Sequence, residues 1–272
     1  IVRGTTEVLT VPGQDIAAVG EKEIGSGRWR SQLMSYLARA NYNLLDRYLF
    51  TASFRRDGSS RFNPLNRWSN FYSGAFAWRI SDEAFVKNLN FFDNLKLRLS
   101  AGQTGNQGIS AYATRSRFEA QNYPFDGTMT PGAGEDRWGG PAAANLKWET
   151  TNQFNAGLDA AFLNNRVNLV VDLYYKKTTD LLQYRYIDMS SGFNQIACNY
   201  GSVTNKGLEI TAHVIPVKTR DWMWTLDANI SFNRNEIGGL NADQFSDVAW
   251  GIERMFLRRN GHPIGTLYGY VE

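Results

Sequence analysis

Residues 222–232 read WMWTLDANISF, and from Trp222 to Phe232 an apolar side chain occupies every second position. Between Trp224 and Phe232 the intervening positions hold threonine, aspartate, asparagine and serine. A period of two residues puts apolar side chains on one face of a β-strand and polar side chains on the other. The same pattern recurs in seven further segments, at residues 34–42, 48–54, 72–80, 95–101, 154–162, 167–175 and 208–214. The sequence therefore predicts an all-β fold with about eight long antiparallel strands.

The charged residues inside these segments fall on the polar positions. They are Arg39, Arg79, Lys96, Arg98, Asp159, Asp172, Glu209 and Asp227. Arg56, Lys177 and Arg234 occupy apolar positions, but each lies at the end of its segment. A Lys or Arg on the lipid face of a barrel costs about 2–4 kcal/mol at mid-membrane and much less near the interface. This distribution suits a membrane-spanning wall, and it equally suits the core face of a soluble β-sandwich.

The connections between the predicted strands distinguish these two folds. Short links occupy residues 44–47, 163–166 and 215–221, and long ones occupy 57–68, 104–150 and 180–205. One rim of tight turns and one rim of long loops is typical of an outer-membrane β-barrel. A further link at 81–94 contains SDEAFVKN, which could form a helical turn. We expect consecutive strands to pair as a simple meander.

Aromatic residues recur near the ends of the predicted strands. They are Tyr42, Tyr48, Trp68, Trp78, Trp148 and Trp222. Such residues form girdles where a barrel wall meets the membrane–water interface. Together with the loop asymmetry they favour a transmembrane β-barrel.

Composition excludes several other classes of protein. Hydrophobic residues make up 43% of the 272 positions, and mean hydropathy is −0.40. A membrane-spanning helix needs a run of about 20 apolar residues, and the sequence contains none. The net charge of +3 is scattered along the chain, which argues against a nucleic-acid partner. Cys198 is the only cysteine, so an intrachain disulfide is impossible.

No motif indicates an enzyme. His213 and His262 lie outside any HExxH pattern, and residues 102–108 (GQTGNQG) lack the Lys-Ser/Thr of a phosphate loop. We therefore expect no catalytic residue, no metal and no cofactor. His213 falls on the polar face, where we expect it to be hydrogen-bonded.

The two ends of the sequence suggest a piece of a longer protein. Residues 1–29 resemble a glycine-rich loop without a period, and no charged-then-apolar leader precedes them. Residues 265–272 (GTLYGYVE) stop inside what looks like another strand. We expect residues 1–272 to form part of one barrel domain.

The long connection at 104–150 is the best candidate for ligand contact. Its aromatic and cationic candidates are Tyr112, Arg115, Arg117, Tyr123, Arg137 and Trp138. Aromatic rings beside hydrogen-bonding groups suit sugars or peptides. The alternative is that this loop packs on itself or on a partner. Residues 57–63 (DGSSRFN) are expected to line the same outer mouth.

Seven blocks of the sequence, in order, resemble the SusC/RagA-type TonB-linked outer-membrane transporters of the Bacteroidetes. The blocks are 47–62 (RYLFTASFRRDGSSRF), 77–85 (AWRISDEAF), 94–109 (NLKLRLSAGQTGNQGI), 145–166 (NLKWETTNQFNAGLDAAFLNNR), 172–182 (DLYYKKTTDLL), 201–210 (GSVTNKGLEI) and 261–270 (GHPIGTLYGY). The resemblance runs from about residue 30 to the end of the sequence.

The resemblance implies a 22-stranded barrel around a plug, capped by a SusD-like lipoprotein and energised through TonB. It implies uptake of oligosaccharides or peptides, with outer-membrane lipid around the wall. The plug, the TonB-contacting segment and both barrel ends are not recognisable in this chain. A passive porin-like barrel and a soluble β-rich binding or adhesion module remain as alternatives. The side chains expected to face the lumen are Arg39, Arg55, Arg79, Arg98, Asp159, Asp172, Glu209 and Asp227.

Overall fold

The computed structural model describes residues 2–7, 26–248 and 252–269. In chain order the strands are β1 (Val2–Glu7), β2 (Ser26–Ser31), β3 (Leu33–Leu44), β4 (Tyr48–Ser59), β5 (Trp68–Arg79), β6 (Phe92–Asn106), β7 (Phe118–Phe125), β8 (Thr128–Glu135), β9 (Glu149–Phe162), β10 (Val167–Thr179), β11 (Leu182–Tyr186), β12 (Gln195–Asn199), β13 (Ser202–Lys218), β14 (Met223–Gly238), β15 (Gln244–Val248), β16 (Ile252–Arg258) and β17 (Thr266–Leu267). A single helical turn, α1 (Ala84–Lys87), follows a 3-10 turn at Ile80–Asp82, and a second 3-10 turn lies at Met189–Ser191. Among the residues that the structure describes, no helix has the length and apolar character needed to cross a bilayer.

The main element is an eight-stranded antiparallel sheet in the order β3-β4-β5-β6-β9-β10-β13-β14. Long strands that follow one another in the chain are neighbours in this sheet, which confirms the predicted meander. The helical turn expected within residues 81–88 is also confirmed. The expectation of a loop over residues 1–29 was wrong in part, because β1 and β2 pair with each other; residues 8–25 lie outside the described residues.

The register aligns the polar faces of all eight long strands. Arg98 lies beside Gly157, Gly157 beside Asp172, and Asp172 beside Glu209. Directly opposed residues share a face of a sheet. The pairing continues from this row of residues to β3 on one side and to β14 on the other. All eight charged residues that were expected to face a lumen lie on this same polar face.

The register also measures how far the strands tilt. Successive partners lead from Ala40 in β3 to Arg234 in β14. Ala40 lies four residues from the turn end of its strand, and Arg234 lies eleven residues from the turn end of its own. The distance of the paired residue from the turn end therefore grows by about one residue per strand. At about 3.3 Å per residue and about 4.8 Å between strands, the tilt is about 35°, which is within the range that closed barrels require.

The opposite face carries an apolar band of nearly constant height. Apolar side chains run from Val167 to Tyr175 on β10 and from Trp224 to Phe232 on β14. Each run is about 27 Å long along its strand, which corresponds to about 22 Å along the barrel axis after the tilt. Outer-membrane barrels carry an apolar band about 25 Å tall. Leu173 and Ile230 in this band are 53% and 51% exposed, and no second sheet covers them within the described residues. A soluble sandwich would bury this face.

Short and long connections lie at opposite ends of the sheet, as predicted. Residues 45–47, 163–166 and 219–222 form one end, with the α1 segment. The long connections at the other end carry the hairpins β7–β8 and β11–β12. We call these ends the turn end and the loop end.

Aromatic rings mark both ends of the apolar band. Tyr36 stacks on Trp68 near the loop end, and Tyr48 stacks on Trp78 near the turn end, with ring centroids 5.9 and 6.2 Å apart. The interfacial position predicted for Trp148 was wrong, because this residue is 5% exposed inside the loops.

The main buried core is built by the loops. Its members are Phe62, Phe71, Ile109, Ala113, Ala143, Leu146, Trp148 and Ala197, which we call the loop core. Trp148 contacts the rings of Phe62 and Phe71 and donates a hydrogen bond from Nε1 to the carbonyl of Arg67 at 2.9 Å. Three connections that are distant in sequence are thereby fixed above the polar face.

Candidate functional site

The centre of the polar face holds a charged network around Arg98. Arg98 Nε lies 3.0 Å from both carboxylate oxygens of Asp159, and its Nη2 lies 2.7 Å from Asp159 Oδ1. The same Nη2 donates to Asp172 Oδ1 at 2.9 Å. Gly157 lies between Arg98 and Asp172 in the ladder, and a Cβ there would come within 2.3 Å of the Asp172 carboxylate. The glycine therefore leaves the space through which the guanidinium reaches two strands away.

This network is a partly solvated one. The side chains of Arg98, Asp159 and Asp172 are 38%, 23% and 32% exposed. Ion pairs with this degree of solvation contribute about 1 kcal/mol or less each. The arrangement orders the wall more than it stabilises it.

A second polar pair lies nearer the turn end. His213 Nδ1 lies 2.6 Å from Asp227 Oδ1, which confirms the hydrogen-bonded role expected for His213. In the described part of the chain, no group of three or more His, Cys, Asp or Glu side chains is placed to hold a metal ion.

The polar face carries three further arginines, of which Arg55 lies toward the loop end. Arg55 Nε lies 2.9 Å from Asp57 Oδ2, and its guanidinium carbon lies 5.5 Å from the centre of the Phe71 ring. Arg39 is exposed on the neighbouring strand. Arg79 lies at the turn end, where its amide donates to the carbonyl of Arg47 at 2.8 Å.

Of the six loop candidates, Tyr112 and Arg117 have a side chain in a hydrogen bond or an ion pair. The hydroxyl of Tyr112 accepts a hydrogen bond from the amide of Arg30 at 2.9 Å. Arg117 is half-buried and lies 3.5 Å from Asp136. A Cβ at Gly139 would lie 1.8 Å from Arg117 Nη2, so the loop is built around this guanidinium.

The other four candidates, Arg115, Tyr123, Arg137 and Trp138, are exposed. The carbonyl of Arg137 accepts a hydrogen bond from the amide of Asn194, and that of Trp138 accepts one from Gln195 Nε2. These bonds attach the loop to the β11–β12 hairpin.

Sequence reasoning missed three residues at the loop end, two of them exposed and one that joins two loops. Tyr186 and Met189, on the β11–β12 hairpin, are 79% and 78% exposed. Asn199 exchanges two hydrogen bonds of 2.8 Å with the backbone of Lys147 and donates a third to the carbonyl of Asp180. No periodicity marks Asn199, because it acts through contacts between distant loops.

The segment 57–63 does not line the outer mouth, so that expectation was wrong. Asp57, Ser59 and Phe62 are 4%, 0% and 1% exposed. Arg61 Nη1 donates to the carbonyls of Gln107 and Ile109, which ties this segment to the next loop. The segment belongs to the loop core and its supports.

Tilted strands, an exposed apolar band and two unlike rims define the wall of a transmembrane β-barrel. Residues 13–253 match the family described as TonB dependent receptor-like, beta-barrel. The chain therefore belongs to this family and forms part of an outer-membrane β-barrel of the SusC/RagA type.

Several individual proteins are similar to the chain. TonB-dependent receptor SusC of Bacteroides thetaiotaomicron is 42% identical over 258 residues, covering 89% of this chain and 25% of that protein. TonB-dependent receptor P26 of Formosa agariphila is 39% identical, covering 80% and 22%. Among solved structures, the RagAB peptide importer in its open-open state has a TM-score of 0.80 and 28% identity, covering 94% of this chain and 27% of that one. The chain thus spans about a quarter of the length of these relatives.

Proposed function

We propose that the chain supplies wall and outer loops to a TonB-dependent importer of oligosaccharides or peptides. The observation that carries the proposal is the close match of the tilted sheet and its loops to a peptide importer. A SusD-like lipoprotein is the proposed outer partner, and TonB is the proposed source of energy. Ligand capture and gating, without covalent chemistry, form the proposed mechanism.

In this proposal the polar face lines the lumen and the apolar face contacts outer-membrane lipid. The exposed charges of the polar face, including Arg39, Glu209 and Asp227, would then contact water or the domain that fills the barrel. An exposed apolar band in a membrane protein needs no further partner, because lipid covers it. Residues 1–272 would be one continuous part of a single barrel domain.

The exposed loop residues are the proposed contacts for ligand or lipoprotein. Trp138, Arg137 and Tyr123 combine aromatic faces with hydrogen-bond donors, which suits sugars or peptides. Tyr186 and Met189 add apolar surface on the hairpin to which Trp138 is attached. Arg117 braces the same loop through Asp136.

Uptake of radiolabelled ligand by cells that express the complete reading frame tests the proposal. We expect uptake to depend on TonB and on the proton gradient, whereas a passive porin-like barrel would take up ligand after either is removed. Copurification of a lipoprotein with the barrel tests the partner.

A matched pair of tryptophan variants tests the loop contacts. Trp138 and Trp222 are 67% and 77% exposed, at the loop end and the turn end respectively. We expect Trp138→Ala to lower uptake or lipoprotein binding and Trp222→Ala to leave both unchanged. Equal effects of the two variants would refute the assigned role of the loop.

A further inference from the structure

A groove on the polar face lies directly beneath the loop core. Its volume is about 360 Å³, which is within the range of sites for small ligands. Its polar lining includes Arg39, Ser53, Arg55, Ser73, Ser100 and Asn155. Phe71, a member of the loop core, also contributes to the lining.

The register explains why a groove forms here. Arg39, Ser53, Ser73 and Gly102 are successive partners across β3, β4, β5 and β6. A Cβ at Gly102 would lie 2.7 Å from the Cβ of Ser73, so this position accepts only glycine without a shift. Glycine and serines make a low floor between the arginines on one side and the amides of β9 on the other.

Both arginines, Arg39 and Arg55, have guanidinium N–H groups that are free to donate hydrogen bonds. Asp57 meets Arg55 at Nε, and within the described residues no acceptor is placed on the Nη atoms of Arg55. Arg39 is exposed and has no carboxylate within ion-pair distance in the described part of the chain. These guanidinium groups therefore present free charged donors to the groove.

The neutral side chains add further donors. Gln153 Nε2 donates to Asn155 Oδ1 at 2.9 Å, and Asn155 Nδ2 donates to Ser100 Oγ at 3.1 Å. Because the Ser100 oxygen already accepts this bond, its proton is free to donate elsewhere. One of the hydroxyls of Ser53 and Ser73 donates to the other at 2.5 Å, so the proton of the accepting hydroxyl is free. The groove thus offers hydroxyl donors in addition to the guanidinium groups.

We propose that this groove binds an oxyanion, namely a carboxylate carried by the imported ligand. Free guanidinium and hydroxyl donors recognise carboxylates, and charge-assisted bonds of this kind are the stronger ones. The charged network around Arg98 does not compete, because its cation is already paired with two carboxylates. The inference rests on the proposed importer function and narrows its ligands to acidic oligosaccharides or peptides with free carboxylates.

Thiol labelling in the complete transporter tests the charge preference of the groove. A Ser100→Cys variant, made in a Cys198→Ser background, is treated with anionic and cationic methanethiosulfonate reagents, and each rate is divided by that of a free thiol. We expect the anionic reagent to react faster. Arg39→Gln should lower the anionic-to-cationic ratio about twofold at low salt, because it removes one positive charge that lies three strands, or about 15 Å, from Ser100. The difference should shrink as ionic strength rises.

Arg56→Gln is the matched control. Arg56 adjoins Arg55 in sequence but lies on the apolar face, over Trp68, so its removal makes the same charge change outside the groove. We expect this variant to leave the ratio unchanged. Three results would overturn the proposal. The thiol could show no preference for the anionic reagent, Arg56→Gln could lower the ratio as much as Arg39→Gln does, or the thiol could react with neither reagent.

Protection of the same thiol distinguishes the two sources of the carboxylate. A galacturonic-acid oligosaccharide is compared with its methyl ester, and a peptide with its fully amidated form. Protection by only one acidic ligand assigns the class, and equal protection by a neutral counterpart contradicts the carboxylate site. Thiol labelling does not require energised uptake, so a negative labelling result would refute only the carboxylate site. Uptake that does not depend on TonB would refute the importer function itself.

Discussion

A methyl group added at Gly157 tests the central charged network of the polar face. Its Cβ would lie 2.3 Å from Asp172 Oδ1 and 2.7 Å from Arg98 Nη2. Both distances are too short for a Cβ contact, so the ends of the two side chains must shift. We therefore expect Gly157→Ala to break the bond between Arg98 and Asp172. The bonds that Arg98 Nε donates to Asp159 can survive, because Nε is not among the atoms nearest to the new Cβ.

The magnitude follows from three terms. The lost ion pair contributes about 1 kcal/mol, because its groups are about one-third exposed to solvent. Moving the ends of these side chains away from their preferred rotamers costs about 1 kcal/mol more. Replacing glycine by alanine in a strand offsets about 0.5 kcal/mol. We therefore expect Gly157→Ala to lower the free energy of unfolding by about 1.5 kcal/mol.

Urea unfolding of the complete transporter in detergent, followed by tryptophan fluorescence, measures this change. Gly74→Ala is the control, because a Cβ there finds only the carbonyl oxygen of Thr51, at 3.9 Å. That variant should be neutral or slightly stabilising. In an Asp172→Ala background the cost of Gly157→Ala should fall by about 1 kcal/mol. If Gly157→Ala is as harmless as Gly74→Ala, the role given to this glycine is wrong.

Three further predictions concern the two ends of the wall. Glu83 accepts a hydrogen bond from Tyr48 at 2.6 Å, which lowers the pKa of its carboxyl; the carboxylate therefore stabilises the turn end above its ordinary pKa, and this stability should be lost as pH falls through the lowered pKa. Hydrogen exchange of residues 80–91 should become faster at that pH in the native protein. In the Glu83→Gln variant the protection of these residues should already be reduced at neutral pH and should not fall further in acid. Asn199→Ala removes three hydrogen bonds to the backbone of Lys147 and Asp180, so proteolysis of residues 136–148 should accelerate about tenfold; an unchanged rate would contradict the bracing role. Burial raises the pKa of the Cys198 thiol, so its reaction with a disulfide reagent near pH 8 should be slower than that of free cysteine, and an equal rate would show that the thiol is accessible and unperturbed.

Much of the wall could be predicted from local pattern. The alternation at residues 167–175 and 222–232 located strands, faces and the positions of charge, and β10 and β14 agree with it. Turns such as 163–166 were recognisable as short breaks between two alternating runs. These features depend on residues two apart along one strand, so sequence is sufficient to find them.

The candidate site was less predictable. Tyr112 and Arg117 looked like ligand contacts because of their chemistry, yet the structure gives both a bracing contact. Trp148 looked interfacial because it precedes a strand, whereas its ring fills the loop core. Such roles depend on which distant loops meet, and a sequence pattern carries no record of that.

Sequence alone predicted the alternating strands, the apolar band on one face of the sheet and a resemblance to a transporter family. The register is visible only in the folded sheet. Its offset of one residue per strand sets the tilt and selects which polar side chains become neighbours. That register brings Arg98 to two carboxylates on different strands and places Arg39 beside the serines of the groove. The physical reason is that alternation fixes the face on which a side chain lies, whereas hydrogen bonding between strands fixes its height on that face.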